Sequence, residues 1–240
     1  MRAYRIDRFG SVDGVVLGSR DDPRPGTGQI LLRVGATSLN YRDLMVLKGG
    51  GRGPTKLGIV PLSDGAGEVA AIGDGVTRVA AGDRVIGTFH PRWFGGPINP
   101  DYLTDRLGGN VDGMLAEYAV VSEEAVVPLP SHLSFEEAAT LPCAAVTAWV
   151  ALTGHRRVTA GDTVLTQGSG GVSIFALQFA QLLGAQVIAT TSSAAKAERL
   201  KALGATAVIN YVETPDWHEK MVELTDGRGV DCVVEIGGPG

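Results

Sequence analysis

A glycine loop at residues 168–173 carries the clearest chemical signal in this 240-residue chain. It follows an apolar strand pattern at 162–167 and precedes a helical pattern at about 171–183, with a second apolar strand at 186–190. In such a strand–loop–helix–strand unit, glycines let the backbone approach a pyrophosphate at the helix N-terminus. A glycine-rich turn without a ligand is the alternative, because glycine triplets are common by chance. The candidate contact residues are Gly168, Ser169, Gly170, Gly171 and Val172, and Ser173 is small enough for the helix to pack on the strand.

The segment after the second strand bears on which nucleotide would bind. An acidic residue near this point usually holds the ribose 2′-hydroxyl of NAD. Residues 190–193 instead read Thr-Thr-Ser-Ser, and Lys196 follows. Hydroxyls and an ammonium group suit a 2′-phosphate, so Ser192 and Lys196 predict NADPH rather than NADH. The alternative is that Ser192 and Ser193 cap a helix beginning at Ala194 and that Lys196 is merely solvated.

Composition limits the classes of partner. The net charge of −5 argues against general nucleic-acid binding. No stretch reaches the ~20 apolar residues that span a bilayer, and the N-terminus lacks an apolar signal core. Cys143 and Cys232 are the two cysteines, too few for a disulfide framework in a chain of this length. We therefore expect a cytoplasmic protein that acts on a small-molecule substrate, with neither membrane nor nucleic acid as a partner.

Two domains are expected to position these residues. Residues 1–127 carry short strand patterns separated by glycine turns, at 2–7, 29–37, 68–72, 84–87 and 114–121, which predict a partly closed β-barrel. A helical run from Ser134 to about Leu152, interrupted near Pro142, opens the second domain, residues 128–240. From Asp162 onward, strands at 162–167, 186–190, 206–210 and 230–236 alternate with helices at about 171–183, 194–203 and 215–225. That alternation predicts an α/β, doubly wound parallel sheet.

The whole chain resembles the medium-chain dehydrogenase/reductase superfamily, most closely its zinc-independent, quinone-oxidoreductase-like branch. The resemblance implies a GroES-like β-barrel followed by a Rossmann domain, an oxidoreductase activity, and a homodimer as the candidate assembly. The parallel sheet stops after four strands, so we expect this chain to be shorter at its C-terminal end than family members. The segments that carry the resemblance are Asn40–Asp43, Pro61–Val69, Gly82–Val85, Leu141–Ala148, the glycine loop and Asp231–Gly238.

Metal dependence can be judged by comparison with the zinc-dependent branch, in which a Cys, a His and a second Cys hold the catalytic ion. Here the matching positions are Asn40, Ser63 and Cys143. One thiolate does not supply the three protein ligands of a catalytic zinc site. Residues 88–110 also lack the four cysteines of the structural zinc lobe, and His90 is the single candidate ligand there. The sequence therefore predicts no zinc.

Without a Lewis acid, hydride transfer favours substrates that stabilise the resulting charge by conjugation. Quinones and α,β-unsaturated ketones or aldehydes do so, and the enolate oxygen that forms needs only hydrogen-bond donors. The leading prediction is an NADPH-dependent reductase of such compounds. The alternatives are a zinc-independent alcohol or aldehyde dehydrogenase and a non-catalytic nucleotide-binding protein.

The candidate catalytic residues form one consecutive segment. Asn40 has an amide for the substrate or the nicotinamide ribose, and Tyr41 has a phenol for the pocket. Arg42 carries a charge for the enolate or a cofactor phosphate, with Asp43 to orient it. The alternative is that these four residues cap a short helix at 42–47, since Asn is a good N-cap residue.

Further residues follow from the resemblance. It places Cys143 towards the pocket, Thr147 at the nicotinamide carboxamide, Tyr211 beside the adenosine phosphate with Lys196 and Ser192, and Gly237 in the loop under the nicotinamide. The alternatives are that Cys143 is a small core residue and that Tyr211 is half-buried packing. Cys232 is read as a core residue of the fourth strand.

Overall fold

The computed structural model describes residues 1–50 and 55–237. The chain divides into two compact units, Met1–Cys143 and Ala144–Gly240. Gly238, assigned above to the loop after the fourth Rossmann strand, lies outside the described residues. The first unit contains two sheets and the second contains one, and each unit has its own buried core.

The first unit is built on antiparallel strands. A two-stranded sheet pairs β1 with β2, and a five-stranded sheet has the order β6-β3-β4-β5-β7. The strands are β1 Arg2–Ile6, β2 Val15–Ser19, β3 Gln29–Ser38, β4 Asp64–Ile72, β5 Arg84–Gly87, β6 Tyr118–Ser122 and β7 Val126–Pro128. The sequence predicted five of these seven and missed β2 and β7, which are short and contain a glycine and a proline respectively.

The core of this unit follows the period-two alternation of its strands. Ile30 and Leu32 of β3 point inward with Val69 of β4 and Val85 of β5, and all four are buried. The strand predicted at 114–121 begins only at Tyr118, because the preceding residues bond elsewhere. The Met114 amide donates to the Leu62 carbonyl (2.9 Å), and the Leu115 carbonyl accepts from the Tyr4 amide of β1 (3.0 Å).

The first unit extends past the expected domain boundary at 127/128. Helix α2, Phe135–Ala139, packs its buried Ala138 and Ala139 against Ala66 and Ile86 of the antiparallel sheet. A capping box starts this helix as predicted, because Ser134 Oγ accepts from the Glu137 amide while the Glu137 carboxylate accepts from the Ser134 amide. Residues 128–143 therefore belong to the first compact unit.

The predicted interruption of the next helix near Pro142 is confirmed. Residues Leu141–Ala145 form a π-turn, and helix α3 continues over Val146–Thr153. Proline has no amide hydrogen for the helical ladder, and a widened π-turn accommodates that loss. Such turns are frequent at functional sites.

The second unit contains a four-stranded parallel sheet with the order β10-β9-β8-β11. Its strands are β8 Thr163–Thr166, β9 Gln186–Thr191, β10 Ala207–Asn210 and β11 Cys232–Val234. Helices α4 Gly171–Leu182, α5 Ala194–Ala202 and α6 Trp217–Glu223 alternate with them. This order is that of the first four strands of the doubly wound fold, which confirms the predicted fold class.

Helices cover both faces of this parallel sheet. Val164, Val187 and Val234 lie in one core with Leu177 of α4 and Leu200 of α5. Leu165, Ile188 and Ile209 form a second core with Trp217 and Met221 of α6. The consecutive buried residues of β8 are typical of a parallel strand with two covered faces.

Candidate functional site

The glycine loop joins β8 to α4 at the carboxyl end of the parallel sheet. Gly168 has a φ of 74°, in the left-handed region that favours glycine. Gly170 is the N-cap residue of α4, and no side chain among the described residues caps this helix. A Cβ atom built on Gly168 or Gly170 meets nothing within 4 Å in the described structure. The first amides of α4 therefore face open space and suit an anionic group such as a pyrophosphate.

Two hydroxyl groups hold this loop in place. Ser173 is fully buried, and its Oγ donates to the Gln167 carbonyl oxygen (2.7 Å), which ties the start of α4 to the end of β8. The Gly168 amide donates to Thr190 Oγ1 of β9 (3.2 Å). The sequence predicted the small residue at position 173 but not the hydrogen bond that the Thr190 hydroxyl accepts from the loop.

A cavity of about 360 Å³ adjoins the loop in the second unit. The predicted residues Gly168, Tyr211 and Gly237 line it together with Thr190. The Tyr211 side chain is 43% exposed, and its backbone amide donates to the Thr191 carbonyl at the end of β9 (3.0 Å). Tyr211 thus faces the cavity and is not packed into the core. The remaining lining residues are Gln167, Trp217 and Ile236.

The residues predicted to select the nucleotide divide between two roles. Ser193 Oγ accepts from the Lys196 amide (3.3 Å), so Ser193 caps α5 as the alternative interpretation held. Ser192 and the Lys196 side chain are exposed, and no described carboxylate lies within ion-pair distance of Lys196. Neither Ser192 nor Lys196 belongs to the cavity lining that contains Tyr211.

In the first unit, the segment Asn40–Asp43 opens helix α1, Tyr41–Leu47. The Asp43 carboxylate accepts from the Asn40 backbone amide (2.8 Å), and the Asp43 amide donates to the Asn40 carbonyl (3.0 Å). This bonding agrees with the helix-capping interpretation, with the helix beginning at Tyr41 rather than at 42. Burial raises the pKa of Asp43, although its bonds to Asn40 and Arg42 act in the opposite direction. Tyr41 is 76% exposed, so its phenol is open to a ligand.

Arg42 is largely engaged by the protein itself. Its Nη1 donates to the Leu107 carbonyl (2.9 Å) and to Asp43 Oδ1 (3.1 Å), and its guanidinium lies 4.9 Å from the centre of the Phe89 ring. Its Nη2 is buried and makes no hydrogen bond to the described residues. These contacts give Arg42 a scaffold role that joins α1 to the segment 89–107. The predicted contact of Arg42 with an enolate or a phosphate stays a prediction.

Asp64 forms a polar centre in the first unit that the sequence analysis did not select. Its carboxylate is fully buried; Oδ1 accepts from Ser63 Oγ (2.6 Å) and Oδ2 accepts from the Cys143 amide (2.8 Å). Burial raises the pKa of Asp64, and the bonds from Ser63 and Cys143 and the nearby Asn40 amide lower it in part. The Asn40 Nδ2 atom is buried and makes no hydrogen bond to the described residues. It nevertheless lies close enough to Asp64 to lower the pKa of that carboxyl.

Cys143 lies in the π-turn and is half-buried. Burial, with the negative charge of Asp64 as the next contribution, raises its pKa to about 12. The thiol is therefore protonated at neutral pH and is not a nucleophile. Thr147 is exposed on α3, and its contact with the nicotinamide carboxamide stays a prediction.

His90 follows Phe89, the residue whose ring Arg42 contacts. Its Nδ1 pairs with the Asp105 carbonyl (3.3 Å), and its ring contacts Phe89 and Trp93 with centroids 4.6 and 6.4 Å apart. Burial lowers the pKa of His90, as do the charges of Arg106 and Arg42. These contacts give His90 a hydrogen-bonding and packing role within the segment 89–107.

No group of three or more His, Cys, Asp or Glu side chains in residues 1–50 and 55–237 is arranged to hold a metal ion. The prediction of a zinc-free site rests on residue types and stays a prediction.

Cys232 packs against the core of the second unit, as expected. Across the described helices, none is both long and apolar enough to cross a bilayer.

Sequence reasoning missed Asp64 and the bond of Thr190 to the glycine loop. Asp64 is the one charged residue between Lys56 and Glu68, in an otherwise apolar and glycine-rich run, and this isolation was the available signal. Thr190 was read only as one of the hydroxyls at 190–193, because its bond to Gly168 depends on the register between β8 and β9.

Two family models match the chain. An alcohol dehydrogenase GroES-like domain covers residues 26–131, and a zinc-binding dehydrogenase domain covers residues 171–240. A zinc-type alcohol dehydrogenase-like protein of Schizosaccharomyces pombe is 46% identical over 213 residues, which are 88% of this chain and 62% of that protein. A chloroplastic quinone oxidoreductase of Triphysaria versicolor is 33% identical over 248 residues, covering all of this chain and 69% of that protein.

Solved structures of dehydrogenases share the fold of this chain. The crystal structure of an NAD-dependent alcohol dehydrogenase superposes with a TM-score of 0.90 at 38% identity, covering 99% of this chain and 71% of that one. The chain spans 62% of the length of its Schizosaccharomyces pombe relative and 60% of that of a chloroplast envelope quinone oxidoreductase homologue of Arabidopsis thaliana.

Proposed function

Because the chain belongs to the medium-chain dehydrogenase/reductase superfamily, in its quinone-oxidoreductase-like branch, we propose that it transfers a hydride from NADPH to a conjugated carbonyl compound. The substrate class is a quinone or an α,β-unsaturated ketone or aldehyde, and no metal takes part. The names of similar proteins support an oxidoreductase, and the choice of NADPH and of a conjugated substrate is our inference from this chain's residues.

The observation that carries the proposal is the uncapped start of α4. A twelve-residue helix that begins at a glycine, with open space at Gly168 and Gly170, presents amides to an anion. The adjoining cavity lined by Thr190 and Tyr211 has room for the adenosine end of the nucleotide. The end of β9 carries hydroxyls and then Lys196, with no acid in residues 190–193. A 2′-phosphate would meet a hydroxyl and an ammonium group there, and no carboxylate would repel it.

The residues of the first unit supply hydrogen-bond donors rather than a Lewis acid. When bound, the nicotinamide supplies the hydride. We assign the developing enolate or phenolate oxygen to the exposed Tyr41 phenol, because Asn40 Nδ2 is buried and acts on the Asp64 carboxylate. Arg42 and Asp43 hold the start of α1 in place and so orient this donor. Asn40 and Ser63 lack the thiolate and imidazole that zinc prefers, which supports chemistry without a metal.

Oxidation of an alcohol is the second candidate function. It is favoured by the names of two similar proteins, the zinc-type alcohol dehydrogenase-like protein and the NAD-dependent alcohol dehydrogenase. In that case NAD would be the nucleotide, although residues 190–193 lack the usual acidic partner of its ribose.

An enone assay separates these functions. The protein is incubated with NADPH and a cyclic enone or a benzoquinone, and both NADPH absorbance and the organic product are followed. A saturated ketone or a hydroquinone is the expected product. An allylic alcohol from the enone would favour the second candidate. Binding of NADPH, seen as enhanced cofactor fluorescence, without oxidation by any of these substrates would contradict both and favour a nucleotide-binding protein.

A further inference from the structure

Three separate segments of the first unit converge on the buried carboxylate of Asp64. Ser63 precedes it at the start of β4, Cys143 belongs to the π-turn, and Asn40 precedes α1. The Asp64 carboxylate accepts from Ser63 Oγ at 2.6 Å and from the Cys143 backbone amide at 2.8 Å. The side-chain amide of Asn40 lies close enough to stabilise its negative charge. The Asp64 backbone carbonyl also accepts from Thr37 Oγ1 (2.5 Å). No other described carboxylate joins so many elements around the candidate catalytic segment.

This arrangement is costly for folding. A fully buried carboxylate loses its hydration, and among the described residues no Lys or Arg nitrogen lies within ion-pair distance of Asp64. The residue two positions earlier, Leu62, has a φ of 69°, which is unfavourable for a branched side chain. The backbone of Leu62 is confined by Gly108 and Gly113, where an added Cβ would lie 2.5 and 2.0 Å from it. A strained residue next to a buried charge is a pattern found at functional sites.

The bond from Asp64 to Cys143 reaches the one π-turn of the described chain. Pro142, just before Cys143, has no amide hydrogen, so the turn cannot be fixed by a regular helical ladder there. The Cys143 amide is instead fixed by a side chain 79 positions earlier in the sequence. This bond sets the backbone conformation from which α3, with the candidate residue Thr147, continues.

We propose that Asp64 is a positioning residue for the hydride-transfer reaction, and this proposal rests on the proposed function. Its buried carboxylate holds the Cys143 amide and the Ser63 hydroxyl in one arrangement. Asp64 has no exposed surface, so it acts through these groups and not on the substrate. Loss of its hydrogen bonds therefore lowers the turnover number, because a misplaced donor loses orientation, and changes substrate binding less.

The test compares Asp64→Ala and Asp64→Asn with a matched control. Asparagine retains an oxygen for the Cys143 amide and an amide group to donate to Ser63 Oγ, whereas alanine retains neither. Glu123→Ala is the control, because Glu123 is also a buried carboxylate of the first unit and accepts from the Thr77 and Arg78 amides at 2.7 Å. Steady-state kinetics with NADPH and an enone are measured well below each melting temperature, and amide hydrogen exchange is measured for residues 141–145 without substrate.

We expect Asp64→Ala to lower kcat roughly 10- to 100-fold with little change in KM, and Asp64→Asn to recover most of it. Exchange at 141–145 should rise about tenfold in the alanine variant and stay near wild type in the other two. Asp64→Ser replaces the alanine variant if that one does not fold. An unchanged kcat or unchanged exchange in Asp64→Ala would overturn the proposal. An inactive Asp64→Asn with wild-type exchange would also overturn it, because the charge itself would then be needed. If the wild type reduces neither quinones nor enones, the proposed function fails separately, and the exchange rates still decide whether Asp64 fixes the turn.

Discussion

The Thr190 hydroxyl accepts a hydrogen bond from the Gly168 amide at 3.2 Å and so connects the glycine loop to the neighbouring strand. Thr190 is 3% exposed, and both residues line the cavity beside the start of α4. The left-handed turn at Gly168 is therefore held from β9 as well as by its own strand. The adjacent residue, Thr191, is equally buried, but its Oγ1 makes no hydrogen bond to the described residues. The two threonines provide a matched pair for experiment.

Thr190→Val should weaken NADPH binding about fivefold, because removal of one hydrogen bond of about 1 kcal/mol releases the Gly168 amide. Thr190→Ser should restore binding. Thr191→Val should leave binding unchanged and keep or raise the melting temperature, since it removes a buried hydroxyl without a partner. Fluorescence titration of NADPH measures all three, and equal weakening by the two valine variants would contradict this role for Thr190.

The two glycines of the loop should respond differently to alanine. Gly170 has a φ of −79° and open space at its Cβ position, so Gly170→Ala should fold with a near-wild-type melting temperature. It should still weaken NADPH binding by about tenfold or more, because the added methyl group lies where the pyrophosphate approaches. Gly168→Ala should also lower stability by about 1–2 kcal/mol, since its φ is 74°. Calorimetry with and without NADPH distinguishes the variants, and unchanged affinity in Gly170→Ala would argue against a phosphate at this helix.

Lys196→Ala should weaken NADPH binding by about tenfold or more and hardly affect NADH. The reason is that a charge-assisted bond to a phosphate contributes about 1.5–3 kcal/mol, and NADH lacks the 2′-phosphate. Lys201→Ala on the same helix is the control, because Lys201 already pairs with Glu198 at 3.0 Å. Equal losses for both nucleotides would remove Lys196 from the phosphate site.

Asp64→Asn should stabilise the protein at neutral pH. Burial raises the pKa of Asp64 above its ordinary value of 3.8, so the folded state takes up a proton more readily than the unfolded chain. The ionised carboxylate therefore costs stability above the folded pKa, and this cost disappears as the pH falls towards 3.8. We expect the variant to be more stable than wild type at pH 7, with the difference shrinking as the pH falls towards 3.8. Urea unfolding across this range measures it, and a difference that grows at acid pH would be the opposite of the expected sign.

The parallel sheet was the most predictable part of the fold. Apolar runs such as 162–167 and 186–190, each followed by a helical pattern, locate β8, β9 and α4 to within a residue or two. Strand β7 escaped prediction because three residues ending in a proline carry no periodicity, and its pairing with Val85–Gly87 is a long-range contact. The packing of 128–143 on the barrel was equally invisible, since it depends on Ala138 and Ala139 meeting Ala66 across the sheet.

The candidate site was predictable where the residue type alone determines the role, as with glycine in a tight loop. Gly168 and Gly170 follow from backbone geometry, and the absence of an acid in 190–193 follows from charge. Arg42 illustrates the limit, because its charge predicted a ligand contact while the fold also directs it to the Leu107 carbonyl and the Phe89 ring. The contact with the adjacent Asp43 was expected, but Leu107 and Phe89 are distant in the chain, and a single sequence contains no signal for them.

Deuterium transfer tests the central claim most directly. The protein is incubated with NADPH deuterated at the reactive C4 position and a cyclic enone, and the product is analysed by mass spectrometry and NMR. We expect a saturated ketone with deuterium on the β-carbon, with NADPH used in preference to NADH and with no dependence on added or retained zinc. Deuterium on the carbonyl carbon of an allylic alcohol, or turnover that is lost when zinc is chelated, would contradict it.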